Sequence, residues 1–451
     1  MISLNSNQSL LPIELLEHII DNVDISSPDG KQSLITCSYA NSTLRVLCQT
    51  RIFQDVAVIH GLQYATGESF FDDEQSTGNK FLSLLDRSPH IGSYVRNFTL
   101  KAVMLDWQRE QSDTICSKDP GFSLYATRPH LQKLQKFTVV APVFLLWSRF
   151  DQRMKSFFHN SIAQVLPEVD FHIIRQVPIS VFYNCAALQD LRISHLKSES
   201  INTTSSLHTK AKLRVLQVGR ESFSSALGRL QECFKLFEPP SSPFDLSQLT
   251  ELILPDYGYS VADIQFMLGL CSKSLERLDL RLDNHYGTVT LLEFEPVICT
   301  DHFAPSTLDP HMLPSIVEAE TISPNLGSLH KLRRLAFRAT ISCLEGRVTS
   351  NIPLASVILK TIPNDGPLSE VVLNTLLQNY SVDNLAVFPW STVVDVLCGN
   401  RVWPHLTRVE LKFEQMTNIR TVRISPANLA DSLDRNDDLN KLRERGLLLY
   451  I

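Results

Sequence analysis

No His-Glu-x-x-His, no Gly-x-Ser-x-Gly, no Walker phosphate loop and no Gly-x-Gly-x-x-Gly occurs in these 451 residues, and glycine is scarce at sixteen. The metallopeptidase, serine-hydrolase and nucleotide-cradling chemistries that depend on those spacings are not advertised, so the chain reads as non-enzymatic and without a cofactor. Cys-x-x-Cys pairs are also missing: the nine cysteines, at 37, 48, 116, 185, 233, 271, 299, 343 and 398, are scattered and odd in number. That usage suits a reducing compartment. No Lys or Arg precedes Lys31, and Glu14, Glu17 and Asp21 interrupt the first apolar segment, so the start does not read as a secretion signal. The longest apolar run, Val139 to Trp147, is far too short for a membrane span and contains Pro142. The expected location is cytoplasmic, nuclear or both.

Charge of one sign is also lacking. A formal net charge of -6 and a pI near 6.1 supply no global attraction to nucleic acid or an anionic membrane, so neither is expected as a partner. A loop near Cys299, Asp301, His302 and His311 is the best metal candidate, but its spacing fits no zinc pattern and it is read as an ordinary loop. The acidic triplet Asp72, Asp73 and Glu74 is read as a solvated linker.

What is present begins at "LLPIELLEHIIDNV", residues 10 to 23. Pro12 suits a first helical turn and Glu14 suits the positive end of the helix dipole. Ile13, Leu16, Ile20 and Val23 fall on one stripe, which Leu15 and Ile19 widen, and "SSPDG" at 26 to 30 supplies a break. A second segment, 33 to 58, repeats helical spacing through Leu34, Cys37, Leu44 and Leu47 before Phe53 and a strand-like "VAVI". A unit of roughly 45 residues buries too little surface to stand alone, so a partner or a following domain should complete it.

"LPIELLEHIIDNV" followed by "LITCSYANSTLRVLCQTRIF" resembles an F-box, in the form common in large fungal F-box families. The resemblance implies helices that bind the Skp-type adaptor of a cullin-RING ubiquitin ligase. By position, Leu11, Pro12, Leu15, Ile19 and Val23 match the adaptor-facing motif, with Leu34 and Cys37 in its second half. Leu44 stands where the family usually has a tryptophan. The stretch 84 to 100 is similar to the segment that joins F-box and repeats in those proteins.

Beyond it, a Leu-x-x-Leu-x-Leu pattern or its Val, Phe and Ile equivalents recurs nine times, starting at Val95, Leu134, Leu188, Leu213, Leu249, Leu275, Leu332, Leu368 and Leu406. Spacing is uneven, widest from 134 to 188 and from 275 to 332, which calls for inserted loops or unmarked units. One unit reads whole: Ser260 as N-cap, a helix with Val261, Ile264, Met267 and Leu268 on one face, then the strand "LERLDL". The expected fold class is α/β: a small helical F-box at 7–54, a linker and first capping helix at 55–93, and an irregular leucine-rich-repeat solenoid over 94–451. In it, parallel strands lie inside and helices outside. A closing cap is expected from about 425, with Ser425 and Pro426 as start signals, leucines at 429, 433, 439 and 442, and Gly446 as a helix stop.

A repeat protein without a catalytic constellation works through the positions between its framework leucines. Those positions carry Arg96, Lys101, Lys136, Arg192, Arg214, Arg277, Arg281, Arg333, Arg334, Arg338, Arg408 and Lys412 against Asp190, Glu251, Glu276, Asp279, Glu370 and Glu410. Twelve cations against six acids predict a basic concave face centred on Arg333, Arg334 and Arg338, with Arg277, Arg281 and Arg408 beside it, able to hold an acidic or phosphorylated protein segment. The resemblance thus implies the substrate receptor of an SCF-type ligase, monomeric within its complex. It would reach a cullin through the adaptor and carry no catalytic residue. The alternative is a repeat scaffold whose N-terminal helices merely cap the solenoid, and exposure of Leu11, Pro12 and Leu15 discriminates the two.

Overall fold

A computed structural model describes residues 11–64, 77–104, 115–117, 130–140, 145–150, several positions between 152 and 159, 166–171, 174–194, 196–197, 209–219, 236–238, 242–254, 261–281, 323–344, 347–378, 382–386, 388–399, 403–416, 421–422 and 425–450. The chain divides into two compact units, 1–188 with 207–209, and 189–206 with 210–451. The protein is mixed α/β with extensive parallel sheet, and the described strands close no barrel. The expected metal loop near 299–311, the acidic triplet at 72–74 and the Ser260 cap lie outside the described residues.

The first unit opens with three short helices, α1 (Ile13–Asp21), α2 (Pro28–Cys37) and α3 (Ser42–Phe53). Their boundaries follow from capping chemistry. Pro12 is the residue before α1, whose first turn holds Glu14. Ser27 accepts from the Gly30 N–H at 3.1 Å with Pro28 in the first turn of α2, and Asn41 accepts from the Leu44 N–H at 2.8 Å to start α3. Gly30 has no room for a side chain, since a Cβ there would meet the Asp24 carbonyl oxygen at 2.0 Å. Ile20, Leu34 and Cys48, one from each helix, form a small core with Val23, Ile25, Leu44, Leu47 and Ile52 packed around it.

α3 runs straight into strand β1 (Asp55–Tyr64), so the stretch expected as linker begins with sheet. β2 (Asn97–Met104) pairs parallel with β1, β4 (Lys136–Val140) with β2, and β5 (Glu168–Phe171) with β4, while β3 (Ile115–Ser117) lies antiparallel on the other edge of β1. Helix α4 (Thr77–Arg87) packs on β1. The core of this unit is aromatic: Phe98 and Phe137 stack at 6.0 Å, and Phe158 meets Phe171 at 5.2 Å and Trp147 at 5.4 Å.

The second unit repeats the same parallel arrangement with aliphatic filling. Its strands are β6 (Asp190–Ile193), β7 (Val215–Val218), β8 (Glu251–Leu254), β9 (Arg277–Arg281) and β10 (Arg334–Leu344). After β10 come β11 (Arg347–Ser350), β12 (Glu370–Gln378), β13 (Arg408–Met416), β14 (Thr421–Val422) and β15 (Leu448–Tyr450). Each of β6, β7, β8, β9, β10, β12 and β13 pairs parallel with the next in that order. β11 folds back antiparallel on β10, β14 is antiparallel on β13, and β15 adds parallel to β13. Leu191, Leu216, Leu252, Leu278, Leu335, Val371 and Val409 lie in one register across this ladder and are all buried. Helices α5 (Val261–Cys271), α6 (Ile352–Thr361) and α7 (Ser391–Cys398) connect strands, and α5 buries Ile264, Met267, Leu268 and Cys271.

In all nine expected motifs the first, fourth and sixth residues are buried. Alternation explains the fourth and sixth, and each such side chain contributes roughly 1.5–3 kcal/mol of burial. The second residue has a backbone task. Its carbonyl accepts two N–H groups from the second and third residues of the following rung: Gln54 from Arg96 and Asn97, Thr250 from Glu276 and Arg277, Glu276 from Arg333 and Arg334, Arg333 from Ser369 and Glu370. These bonds run from 2.8 to 3.0 Å. The widest gap in the first unit holds a further rung, Leu166, Val169 and Phe171, whose second residue is Pro167, so that only Glu168 donates to the Gln135 carbonyl.

The closing segment is two helices where one was expected: α8 (Pro426–Asp434) and α9 (Asp437–Glu444). Asn436 separates them, capping α9 through Leu439 N–H while its amide donates to the carbonyls of Leu385, Ala386 and Phe388. Gly446 ends α9 at φ +66°, where a side chain would be strained, and then β15 begins.

Candidate interaction surfaces

Six of the large apolar side chains that stand exposed lie on or beside the three N-terminal helices: Leu11 (42%), Ile13 (48%), Leu15 (45%), Ile19 (50%), Val46 (50%) and Tyr39 (76%). Leu15 and Ile19 lie four residues apart on one side of α1, away from Ile20, and Leu11 stands just before the helix. Pro12 and Cys37 are exposed as well. Leu34, expected with them, is 1% exposed and belongs to the core, and Val23 and Leu44 pack partly against that core. The expected set therefore separates into an outer group, Leu11, Pro12, Leu15, Ile19 and Cys37, and an inner group that holds the helices together. Leu34 and Cys37 share a face of α2, but Leu34 is enclosed with Ile20 and Cys48 while Cys37, one turn on, is the last residue of the helix and stays exposed.

The helices are anchored at one corner by polar contacts. Asp24 accepts from the Ser26 hydroxyl at 2.6 Å and the Ser26 N–H at 2.9 Å, bonds that hold its carboxyl below the usual carboxylate range. Arg51 on α3 reaches back to the Asp21 carbonyl at 3.4 Å.

On the ladder of the second unit, the third, fifth and seventh positions of successive motifs form rows on the face opposite the framework leucines. The third-position row reads Glu251, Arg277, Arg334, Glu370, Arg408; the fifth reads Asp279, Ala336, Val372, Glu410; the seventh reads Arg281, Arg338, Asn374, Lys412. The third row mixes both signs, the charged members of the fifth are acids and those of the seventh are cations, and the rows are joined. Arg277 meets Glu251 at 3.5 Å, Arg334 meets Glu370 at 3.3 Å, and Arg338 reaches Asp279 through Nε at 3.3 Å and Nη2 at 3.1 Å. Arg408 contacts Glu370 at 3.7 Å and Glu410 at 3.0 Å, and Lys412 contacts Glu410 at 3.3 Å. Glu410 is 2% exposed, so its carboxylate depends on both cations.

This corrects the expected centre of a basic face. Arg333 is exposed at a second position, off the strand, and contributes through its backbone; Arg334 is held by Glu370. Arg277, Arg281, Arg334, Arg338 and Arg408 do share the strand face. Their partners were hidden in the sequence because neighbours in a rung ladder lie tens of residues apart.

Two buried thiols, Cys185 and Cys271, are pushed by burial up to about 12, which removes them as nucleophiles at neutral pH. Among the described residues no three His, Cys, Asp or Glu side chains converge as a metal site, and no helix is long and apolar enough to cross a membrane.

These features define a mixed α/β protein that joins an apolar helical surface to a parallel strand ladder with an ordered, ion-paired outer face. No family model matches the chain, and no curated protein matches it.

Proposed function

We propose that the chain is the substrate-recognition subunit of an SCF-type cullin-RING ubiquitin ligase. α1 to α3 take the Skp-type adaptor, and the strand ladder, the framework of an irregular leucine-rich-repeat solenoid, holds a target protein. The observation that carries this reading is the exposure of Leu15 and Ile19 on α1, with Leu11 and Pro12 just ahead of it, while the side of the helix that carries Ile20 is already packed. Helices that served only as a cap would turn such side chains inward. Uncovered apolar side chains in this number mark a surface that another protein covers. The pattern of Leu-Pro-x-Glu-Leu followed by a second helix ending in Cys-Ser supports the choice of partner. The subunit does no chemistry itself, needs no cofactor, and works in the cytoplasm or nucleus.

Co-purification with a Skp-type adaptor tests this. The intact chain captures the adaptor, and joint replacement of Leu11 and Pro12 by Ala lowers capture at least tenfold. Absence of association with the intact chain defeats the reading.

A further inference from the structure

The last step of the ladder departs from the others and leaves a cavity beside it. Register sets Leu448 of β15 against Val409 of β13, so the place three residues earlier, Leu406 in the β13 rung, falls to Arg445 in the last one. In all nine leucine motifs that first place holds a buried apolar side chain. The backbone departs as well. Thr407 and Arg408 donate to the Ser369 carbonyl of the rung before, whereas Gly446 donates to the Arg443 carbonyl at 2.8 Å and Leu447 to the Leu442 carbonyl at 3.0 Å, within the end of α9. Leu397, Trp403, Leu406, Arg445 and Leu447 line the resulting volume of about 310 Å³.

Four of these side chains are apolar, and the fifth is a fixed cation. The single donor of Trp403, its indole N–H, is taken by the Val396 carbonyl at 3.0 Å, so the ring serves as an apolar wall. Arg445 is exposed, and its Nη2 donates to the Cys398 carbonyl at 2.7 Å, which ties the guanidinium to the end of α7. Among the described residues that is its one hydrogen bond, and no carboxylate stands within ion-pair distance of it. Asp395, at the same corner, is paired with Lys441 at 3.1 Å. A guanidinium has five N–H groups, so Arg445 keeps donors for an incoming anion.

The cavity therefore suits an apolar group and a carboxylate on one short frame. An internal Asp or Glu of a polypeptide brings charge without apolar bulk, and an internal Leu the reverse. The last residue of a chain brings both, since its carboxylate and its side chain branch from one Cα.

We propose that this cavity binds the C-terminal residue of a partner polypeptide. Its apolar side chain enters between Leu397, Trp403 and Leu406, and its terminal carboxylate takes the Arg445 guanidinium. The stretch before that residue has an edge to lie on: among the described strands only β13 pairs with β15, and Leu449 is 42% exposed. Arg445 precedes β15, so the partner runs antiparallel to it. The proposal depends neither on the adaptor nor on the paired charges of the strand face.

The test uses the full chain and three fluorescent heptapeptide mixtures, read by anisotropy. They are random except at the last residue, which is leucine with a free carboxylate, leucine amide or aspartate. The leucine acid binds about tenfold more tightly than either of the others, one of which lacks the charge and the other the apolar fill. Arg445→Gln, melting like the parent chain, brings the acid down to the level of the amide. Leu447→Phe keeps Arg445 but fills the cavity, and weakens the acid about as much. N-acetyl-leucine competes only at about hundredfold higher concentration, since it has nothing to lay along β15. Equal binding of the acid and either other mixture, absence of binding, or indifference of the acid to Arg445→Gln or to Leu447→Phe overturns the proposal. Equal potency of N-acetyl-leucine gives the cavity to a small apolar acid and overturns the polypeptide end as occupant. Loss of the acid with Arg277→Glu moves binding to the strand face and overturns it as well.

Discussion

The N-terminal helices and the strand ladder of the second unit handle their surface side chains in opposite ways. On α1 and just before it, Leu15, Ile19 and Leu11 stand exposed, whereas on the ladder Arg277, Arg334, Arg338, Arg408 and Lys412 each lie within ion-pair distance of a carboxylate of the same face. A surface that leaves apolar area open is completed by broad contact with another molecule. A surface whose charges are already paired selects, because a ligand must offer something better than the internal partner.

The contrast can be broken most strongly from inside. Leu335→Ala, in the register of framework leucines, empties a fully buried site and costs about 2–5 kcal/mol, while Leu15→Ala on the open helix stays within about 0.5 kcal/mol. Urea unfolding of both variants checks this, and similar losses would erase the distinction between framework and open surface.

A smaller effect is expected at Glu410. Arg408→Ala combined with Lys412→Ala strands a buried carboxylate, at a cost of about 3 kcal/mol, and the further change Glu410→Gln recovers much of it. Thermal melts of the double and triple variants decide whether the pairs are structural supports. A double variant that melts like the parent would show them to be ornamental.

The mildest test is chemical. In native protein at pH 8, iodoacetamide labels exposed Cys37 well before Cys185 and Cys271, whose thiols burial has pushed up to about 12. If α1 to α3 take an adaptor as proposed, its addition slows labelling of Cys37. Mass mapping of the alkylated peptides reads both outcomes, and faster labelling of Cys271 than Cys37 would contradict the burial described above.

How far the sequence reaches can be judged rung by rung. The nine motifs were legible because the fourth and sixth positions obey strand alternation and each is buried by the same neighbours above and below. The rung at Leu166, Val169 and Phe171 escaped notice, because Pro167 sits where the other rungs donate an N–H and reads as a breaker. Of the strand at Asp55–Tyr64 only the "VAVI" core is legible in sequence, since its pairing partner lies beyond the intervening helix α4. The start of α1 is legible to within a residue from Pro12, but which of its apolar residues face out depends on Leu34 and Cys48 already filling the space beside Ile20. For the strand face, sequence supplied the cations and missed their closure, since Arg338 finds Asp279 fifty-nine residues earlier in the chain.

Gln54 serves two masters. It ends α3, and its carbonyl is also the first step of the ladder, accepting the N–H groups of Arg96 and Asn97, each at 2.9 Å. No spacer separates the helix from the sheet, so the direction in which α3 ends is the direction in which the first strand begins. An inserted residue here would rotate the helix by about 100° or slip the strand by one place, and either would misaim the apolar surface. Whatever grips α1 to α3 therefore also fixes the heading of the first rung.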